Sequence, residues 1–470
     1  MAAWREIGDD RLVAAVVGRD AEAARACLEA GADPDTPGPD GLPLLCTAVA
    51  GFDHESADAL SEGGADPGIE LPDGTTPLLR AVDLGSPAVV EGIVGANPQM
   101  RLDANPRLAL GEAARTRLLD LARHWYETGA EEELRRRTGA TGPATRRLVR
   151  DGEFTDVDEV SLGGATVRDG YAAILTLLEC AFGITAPVAE LVARAVRYPD
   201  ETHVNWSEPN FVLARRWGAR TWAELAPLRH HPDPDHRRFL ADVLWGRYFH
   251  ACHCEDRKQD IAGDAAFVAD WVLDEPDGPV LAAVLNVHLY QDISDEEAIG
   301  LRYAGHPDPL VRRQVPYYLT PSGAAGAAAL LALAGDPDAR VRSITAGVLG
   351  RPRALVPAAR EALLTLIHDP ELGVRAAAAE SLALSEDRTA EVTESLAALL
   401  DEEDQSLRLE GAFALAVRDD PRTDAAYARV GLLSDPKFEH DHRVGEHWRY
   451  EKRRRAARSS ERPSERPDTA

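Results

Sequence analysis

The sequence predicts an all-α fold, an alpha-solenoid of short helical hairpins stacked on one another. Three observations point there. Gly31-Ala32-Asp33-Pro34 returns after 33 residues as Gly64-Ala65-Asp66-Pro67, and Asp40-Gly41 returns as Asp73-Gly74. In the C-terminal half, Asp336-Pro337-Asp338-Ala339-Arg340-Val341-Arg342 returns, again after 33, as Asp369-Pro370-Glu371-Leu372-Gly373-Val374-Arg375. Fixed periods of this length mark arrays whose units bury their apolar faces only against neighbours. Aromatic residues make up 6% of the 470-residue chain while Ala and Leu abound, a balance that favours helices.

The first stack is expected over residues 1–140. Ala15 and Gly18 match Ala48 and Gly51 at the same offset. A third copy starts Asp73-Gly74-Thr75-Thr76-Pro77-Leu78, carries Ala81 and Gly85, and closes at Gly95-Ala96-Asn97-Pro98. Thr76 is placed to cap a helix, and Pro77 suits its first turn, where a missing N–H leaves no partner wanting. Ala15, Ala48 and Ala81 let antiparallel helices approach, and Gly31, Gly64 and Gly95 supply a left-handed residue after a helix. These phrases resemble the ankyrin repeat. The resemblance implies binding of a protein partner through hairpin tips and the inner helical face. It makes Asp35, Asp40, Leu71 and Asp73, at the two tips, the partner-binding candidates. Two departures stand out: Leu45 and Leu79 occupy the family's histidine position, and Pro43 arrives one residue early. A degenerate fourth copy is expected over 117–140, with Leu119 and Ala122 in the places of Leu78 and Ala81, after an insertion at 99–114.

Residues 141–229 show no period. The apolar stretches 172–182 and 188–196 read as helices, so this region is expected to be a helical adaptor. The polar and aromatic run from Tyr198 to Trp206 reads as an irregular connection pinned by its tryptophan, with Trp217 and Trp222 adding bulk.

The second stack is expected over 230–435. Its phrase recurs, worn, from Asp401 to Arg408, and upstream as His306-Pro307-Asp308-Pro309-Leu310-Val311-Arg312, with earlier echoes at 231–237 and 276–281. The pattern resembles HEAT repeats of the short bacterial type. Val341, Ile344, Val348 and Leu349 share one helical face, and Ala359, Leu363 and Leu366 share the face of its partner. Asp336 and Asp369 are expected as N-caps with proline at the first helical position. Arg312, Arg342, Arg375 and Arg408 form a ladder expected to pair with acidic residues of adjacent turns. Residues 436–470 are charged and read as a disordered tail containing the basic run Lys452-Arg453-Arg454-Arg455.

Net charge is −27, which repels phosphate backbones, so nucleic acid is not the expected partner. Five cysteines, irregularly spread, fit a reducing cytoplasm. Met1 to Asp10 carries no apolar core of a secretory leader, and no run of about 18 apolar residues is present to span a bilayer. The expected location is therefore cytoplasmic.

One cluster has the composition of a metal site: His250, Cys252 and Cys254, thiolates and imidazole together. On a helix His250 and Cys254 share a face and Cys252 points away, and no second Cys pair completes a tetrahedron. His230, His231 and His236 form a second cluster. Yet His231 and His306 occupy the slot that Asp336 fills one unit later, which assigns them to the start of a helix. Ser161-Leu162-Gly163-Gly164-Ala165 lacks the lysine of a phosphate loop, and no nucleophile elbow occurs. No catalytic residue, metal or cofactor is assigned. The expected function is a non-catalytic protein-interaction scaffold. The alternative is a metal- or small-ligand-dependent enzyme using the His, Cys and Trp residues of 203–254.

Overall fold

The computed structural model describes residues 2–251, 258–291 and 296–460. Two compact units divide the chain, Met1–Ala262 and Gly263–Ala470. Both are helical solenoids.

In the first unit, α1 (Ala2–Val17) pairs with α2 (Ala21–Glu29), α3 (Leu44–Ala50) with α4 (His54–Glu62), and α5 (Pro77–Leu84) with α6 (Pro87–Val94). The odd helices stack in one layer and the even helices in another. The period is written in the caps: Asp20, Asp53 and Ser86 each accept the backbone N–H three residues on. That satisfies a donor the helix itself cannot. One residue earlier, Arg19, Phe52 and Gly85 adopt left-handed backbone, with φ of 57°, 53° and 77°. Only the third requires glycine, because a Cβ on Gly85 would lie 1.8 Å from the Arg168 carbonyl oxygen. Thr76 caps α5 through Leu79 N–H with Pro77 in the first turn, whereas Pro43 precedes α3 without any side-chain cap. Where the degenerate fourth copy is expected, α8 (Glu112–Thr128) and α9 (Ala130–Thr138) form a pair, and α8 stacks on α5. Leu118 rather than Leu119 joins Ala122 in the core. The insertion folds as α7 (Pro98–Ala104) and a single 3-10 turn.

The region 141–229 is not helical throughout. It opens with an antiparallel sheet, β1 (Thr145–Arg150), β2 (Asp156–Leu162) and β3 (Ala165–Arg168), in that order. The signal lay in the glycines dismissed as a phosphate loop. Gly163 and Gly164 take φ of 61° and 84° between Leu162 and Ala165, as a tight two-residue hairpin demands. Buried Asp151 fastens the sheet to the start of α6. Its carboxylate accepts Ser86 Oγ–H at 2.5 Å, Ala88 N–H at 2.9 Å and Arg168 at 2.6 Å. Past the sheet, α10 (Tyr171–Ala181), α12 (Val204–Arg215) and α14 (Pro234–Ala251) extend the layer of α2, α4 and α6, with α11 (Val188–Val196) and α13 (Ala219–Leu225) alongside. The expected divisions at 140 and 229 are therefore not breaks in packing; the sheet is an insertion into a continuing layer.

In the second unit, α16 (Gly278–Leu289), α18 (Pro309–Tyr318), α20 (Ala339–Leu349), α22 (Leu372–Leu384), α24 (Gln405–Val417) and α26 (His442–Ser460) form one layer. Against it pack α17 (Glu296–Tyr303), α19 (Ala324–Leu333), α21 (Pro357–Leu366), α23 (Ala390–Ala398) and α25 (Thr423–Val430). Val341, Val348, Leu349, Ala359, Leu363 and Leu366 are buried, while Thr345 takes the core place expected of Ile344. The helices start two residues later than expected: Asp338, not Asp336, caps α20, and Glu371 precedes α22 without a side-chain cap bond. Asp336 and Asp369 instead accept the N–H two residues on, at 2.8 and 2.9 Å, closing the Asp-Pro turn.

Three of the four ladder arginines pair as expected, while Arg408 donates to the Glu402 and Glu403 carbonyls of its own turn. Arg312 grips Asp336 through two hydrogen bonds of 2.7 and 2.9 Å, and Arg342 grips Asp369 through two of 2.7 and 2.8 Å. Arg375 lies 3.6 Å from Glu402. Each guanidinium also donates to carbonyls of its own turn, as Arg342 does to Asp336 O at 2.9 Å and Pro337 O at 3.2 Å.

The segment 436–470 is not a disordered tail over its described length. A 3-10 turn leads into α26, which stacks on α24 and buries Phe438, Glu446 and Tyr450. Charge content masked this order, because the arginines find carboxylates of the body. Arg443 meets Glu410, Arg453 meets Asp419 and Glu446, and Arg454 meets Asp424. Three arginines of the basic run are thus paired within the chain, Arg455 with Glu451 being the third.

Breaking one rung should show in stability. Arg342→Ala or Asp369→Ala strands the other, mostly buried, partner and is expected to cost about 3 kcal/mol. In a denaturation double-mutant cycle the double variant should lose far less than the sum; additive losses would remove the ladder from the account of stability.

Candidate functional site

The sequence candidates divide by what the structure asks of them. Asp35 accepts Asp66 N–H at 2.8 Å from the next tip and pairs with Arg107, so it joins units. Asp73 accepts Thr75 N–H and Oγ1–H and pairs with Arg80 at 2.8 Å; these bonds hold its carboxyl down at about 2. Asp40 accepts Leu42 N–H within its own turn and is exposed. Leu71 is a correction: it is buried, its backbone closing the tip against Gly74 and Thr75, and offers no side chain to a partner.

Of the metal candidates, Cys252 and Cys254 lie outside the described residues, and His250 is half-buried with its ring edge-on to Phe211 at 5.5 Å. Of the second cluster, His231 and His236 converge, with Asp233 rather than His230 as the third member. His231, Asp233 and His236 bring ligand atoms within 4.8 Å of one another. The turn nevertheless fixes the wrong tautomer. His231 Nδ1 accepts Asp233 N–H at 3.2 Å, which puts its lone pair there and its proton on Nε2. His306 does the same for Asp308 at 3.1 Å, standing where Asp336 uses a carboxylate oxygen. Arg237 then donates to His231 O at 2.7 Å, as the ladder arginines do to their turns. The histidines are turn acceptors.

The tryptophans of 203–254 are also absorbed by packing. Trp206 donates to Asp242 at 2.9 Å and sets its ring at 89° to Phe239, and Arg247 lies 4.1 Å over Trp217. His203 caps α12 through Asn205 N–H and stacks on Tyr198 at 4.8 Å.

Sequence reading missed the feature with the form of a binding site. Between α6, α10 and α12 lies a cavity of about 280 Å³. Val94, Leu177 and Val212 supply apolar wall, and exposed Ile184, Phe211 and Cys180 form the rim. Two glutamates from different helices, Glu91 and Glu208, share this cavity with Arg215 and Arg216. Burial, with the charge of Glu91 adding, pushes Glu208 up to about 8 against the pull of Arg215. Burial raises Glu91 as well. Two carboxylates with little water cannot both ionise cheaply, so at neutral pH Glu208 keeps its proton and can donate. The Cys180 thiol is raised by burial and by Glu208, which makes it a poor nucleophile. Apolar wall with a few convergent polar groups is the composition of a recognition pocket. One signal was available: Glu91 is the single charge in the apolar run Pro87–Val94.

Residues 327–416 match the family of HEAT repeats. Among solved structures, the crystal structure of YibA from Escherichia coli is similar at 16% identity over 53% of this chain and 93% of that one, with a TM-score of 0.39. No match was found among curated proteins. Among the described residues, no helix is long and apolar enough to cross a membrane.

Three substitutions test these assignments. His231→Asp keeps a turn acceptor and should leave stability unchanged, whereas His231→Ala should lose about 1 kcal/mol in urea denaturation. A melting temperature raised by zinc in wild type alone would restore the metal reading. Glu208 has a folded value above its unfolded one, so the native state holds the extra proton. Its ionisation therefore removes stability as pH rises from about 4.5 to about 8. Glu208→Gln should flatten that decline in a pH series of melts.

Proposed function

We propose that this chain is a non-catalytic scaffold that binds a protein partner, with the first stack of ankyrin type and the second of HEAT type. The cytoplasm is the setting this reading implies. The observation that carries it is the cavity at the α6, α10 and α12 seam, where exposed Phe211 and Ile184 ring an apolar recess over two carboxyls. An aromatic rim around a small recess suits a single anchoring side chain, the arrangement that concentrates binding energy at interfaces. The repeated polar residues support the same reading from the other side. Asp35, Asp336, Asp369 and the ladder arginines are spent joining unit to unit. The exposed carboxylate of Asp40, at the hairpin tip, remains a secondary contact.

Phe211→Asp places a charge at the rim and gives up the ring's contacts with His250 and Arg215. It should cost about 1 kcal/mol of stability and reduce partner recovery from the native host by more than tenfold in quantitative affinity capture. Equal recovery on wild type and variant would move the docking site elsewhere.

A further inference from the structure

We propose that a second recognition site, independent of the first cavity, lies in the second unit and takes an arginine side chain of a protein partner. The site is a surface cavity of about 530 Å³ where α22 and α24 meet the connection into α26. Its floor is Glu410, which is 4% exposed. Glu410 Oε2 accepts Arg443 Nη1 at 2.8 Å, while Oε1 is buried with no hydrogen-bond partner. A buried carboxylate oxygen without a donor is costly, and a donor supplied from outside recovers that cost.

The surroundings define the donor. Glu380 stands exposed at the rim with its carboxylate on the same space. The cations already present are engaged: Arg443 with Glu410 and Asp441, and Lys437 with Asp435 at 3.2 Å. Acceptors are therefore in surplus, and an anion is excluded. Among the described residues, no three of the cavity's carboxylates and imidazoles converge within 4.8 Å, which removes a divalent cation. Gly373, Ala376 and Ala377 of α22 line the remaining wall and leave room for an aliphatic stem. A planar guanidinium meets Glu380 at the rim and, on displacing the side chains that close Glu410 Oε1 from water, uses both carboxylates together.

Burial pushes Glu410 up to about 7, with Arg443 opposing and Glu380 and Asp441 adding. Binding of a cation needs the ionised form, so affinity should fall as pH drops through that value. The other titratable groups facing Glu410 are His440, His442 and Lys437, so the Gln variant is the control.

The test is calorimetric titration of the full chain with an acetylated, amidated pentapeptide, Ala-Ala-Arg-Ala-Ala, and its citrulline twin. The arginine peptide should bind at least tenfold more tightly than the citrulline peptide at pH 8, and should weaken about tenfold between pH 8 and pH 6. Glu410→Gln should reduce affinity at pH 8 at least tenfold and flatten the profile. Glu380→Gln and Ala377→Leu, which leave the Arg443 pair intact, should each weaken binding, so the outcome does not hang on how Glu410→Gln folds. Equal binding of the two peptides overturns the proposal. So does wild-type affinity in both Glu380→Gln and Ala377→Leu, or displacement by spermine that is the same in every variant.

Discussion

Arg342 holds three parts of the second unit at once. Its Nη1 binds the carbonyls of Asp336 and Pro337, closing the turn that starts its own helix. Its Nε and Nη2 bind the carboxylate of Asp369, which begins the next turn. Asp369 in turn accepts the N–H of Glu371, fixing that turn's shape. Local geometry and stacking geometry thus pass through the same atoms. The consequence is periodicity, because neither partner can change without loosening both a turn and a joint. The ladder runs from Arg312 through Asp336, Arg342 and Asp369 to Arg375.

The first unit meets the same demand with the polarity reversed. Loop N–H groups need acceptors when stacking removes them from water. Asp9 accepts Asp33 N–H at 2.9 Å within the first copy, and Asp35 accepts Asp66 N–H at 2.8 Å from the next tip. Asp151 does this for the start of α6 with Arg168 as counter-ion. Carboxylates hold these loops, with guanidinium joints such as Arg25 to Asp58 beside them. A carboxylate at a helix start also meets the positive end of the helix dipole, which is why Asp151 tolerates burial.

The period and most of the core were legible in the sequence because each recurs, whereas the caps expected at Asp336 and Asp369 proved to be turn acceptors. The buried faces around Val341 and Leu363, the ladder and the turn role of His231 and His306 all follow from one repeated phrase. What recurrence could not show was missed. The sheet hung on a single pair of glycines, Gly163 and Gly164, flanked by ordinary polar residues. Order in α26 hung on long-range ion pairs such as Arg453 with Asp419, which composition reads as mere charge. The cavity joins Glu91 to Glu208 across an inserted sheet, a separation no spacing rule covers. Leu71 looked like a tip residue by position, and only the fold shows it turned inward.

The columns of side chains along the second unit are not uniform. Along the second unit's layer, Gln314, Ile344, Ala377 and Glu410 occupy one column, in register with the valine or leucine that begins each helix. The first three are half-buried, and only the last is a buried carboxyl, because α26 has covered that end of the layer. The glutamate there ties α24 to α26 through Arg443, yet it leaves its other oxygen unbonded and raises its own proton affinity. The same holds for Glu208, whose ionisation opposes folding. Both carboxyls therefore carry a cost that the repeat itself does not require.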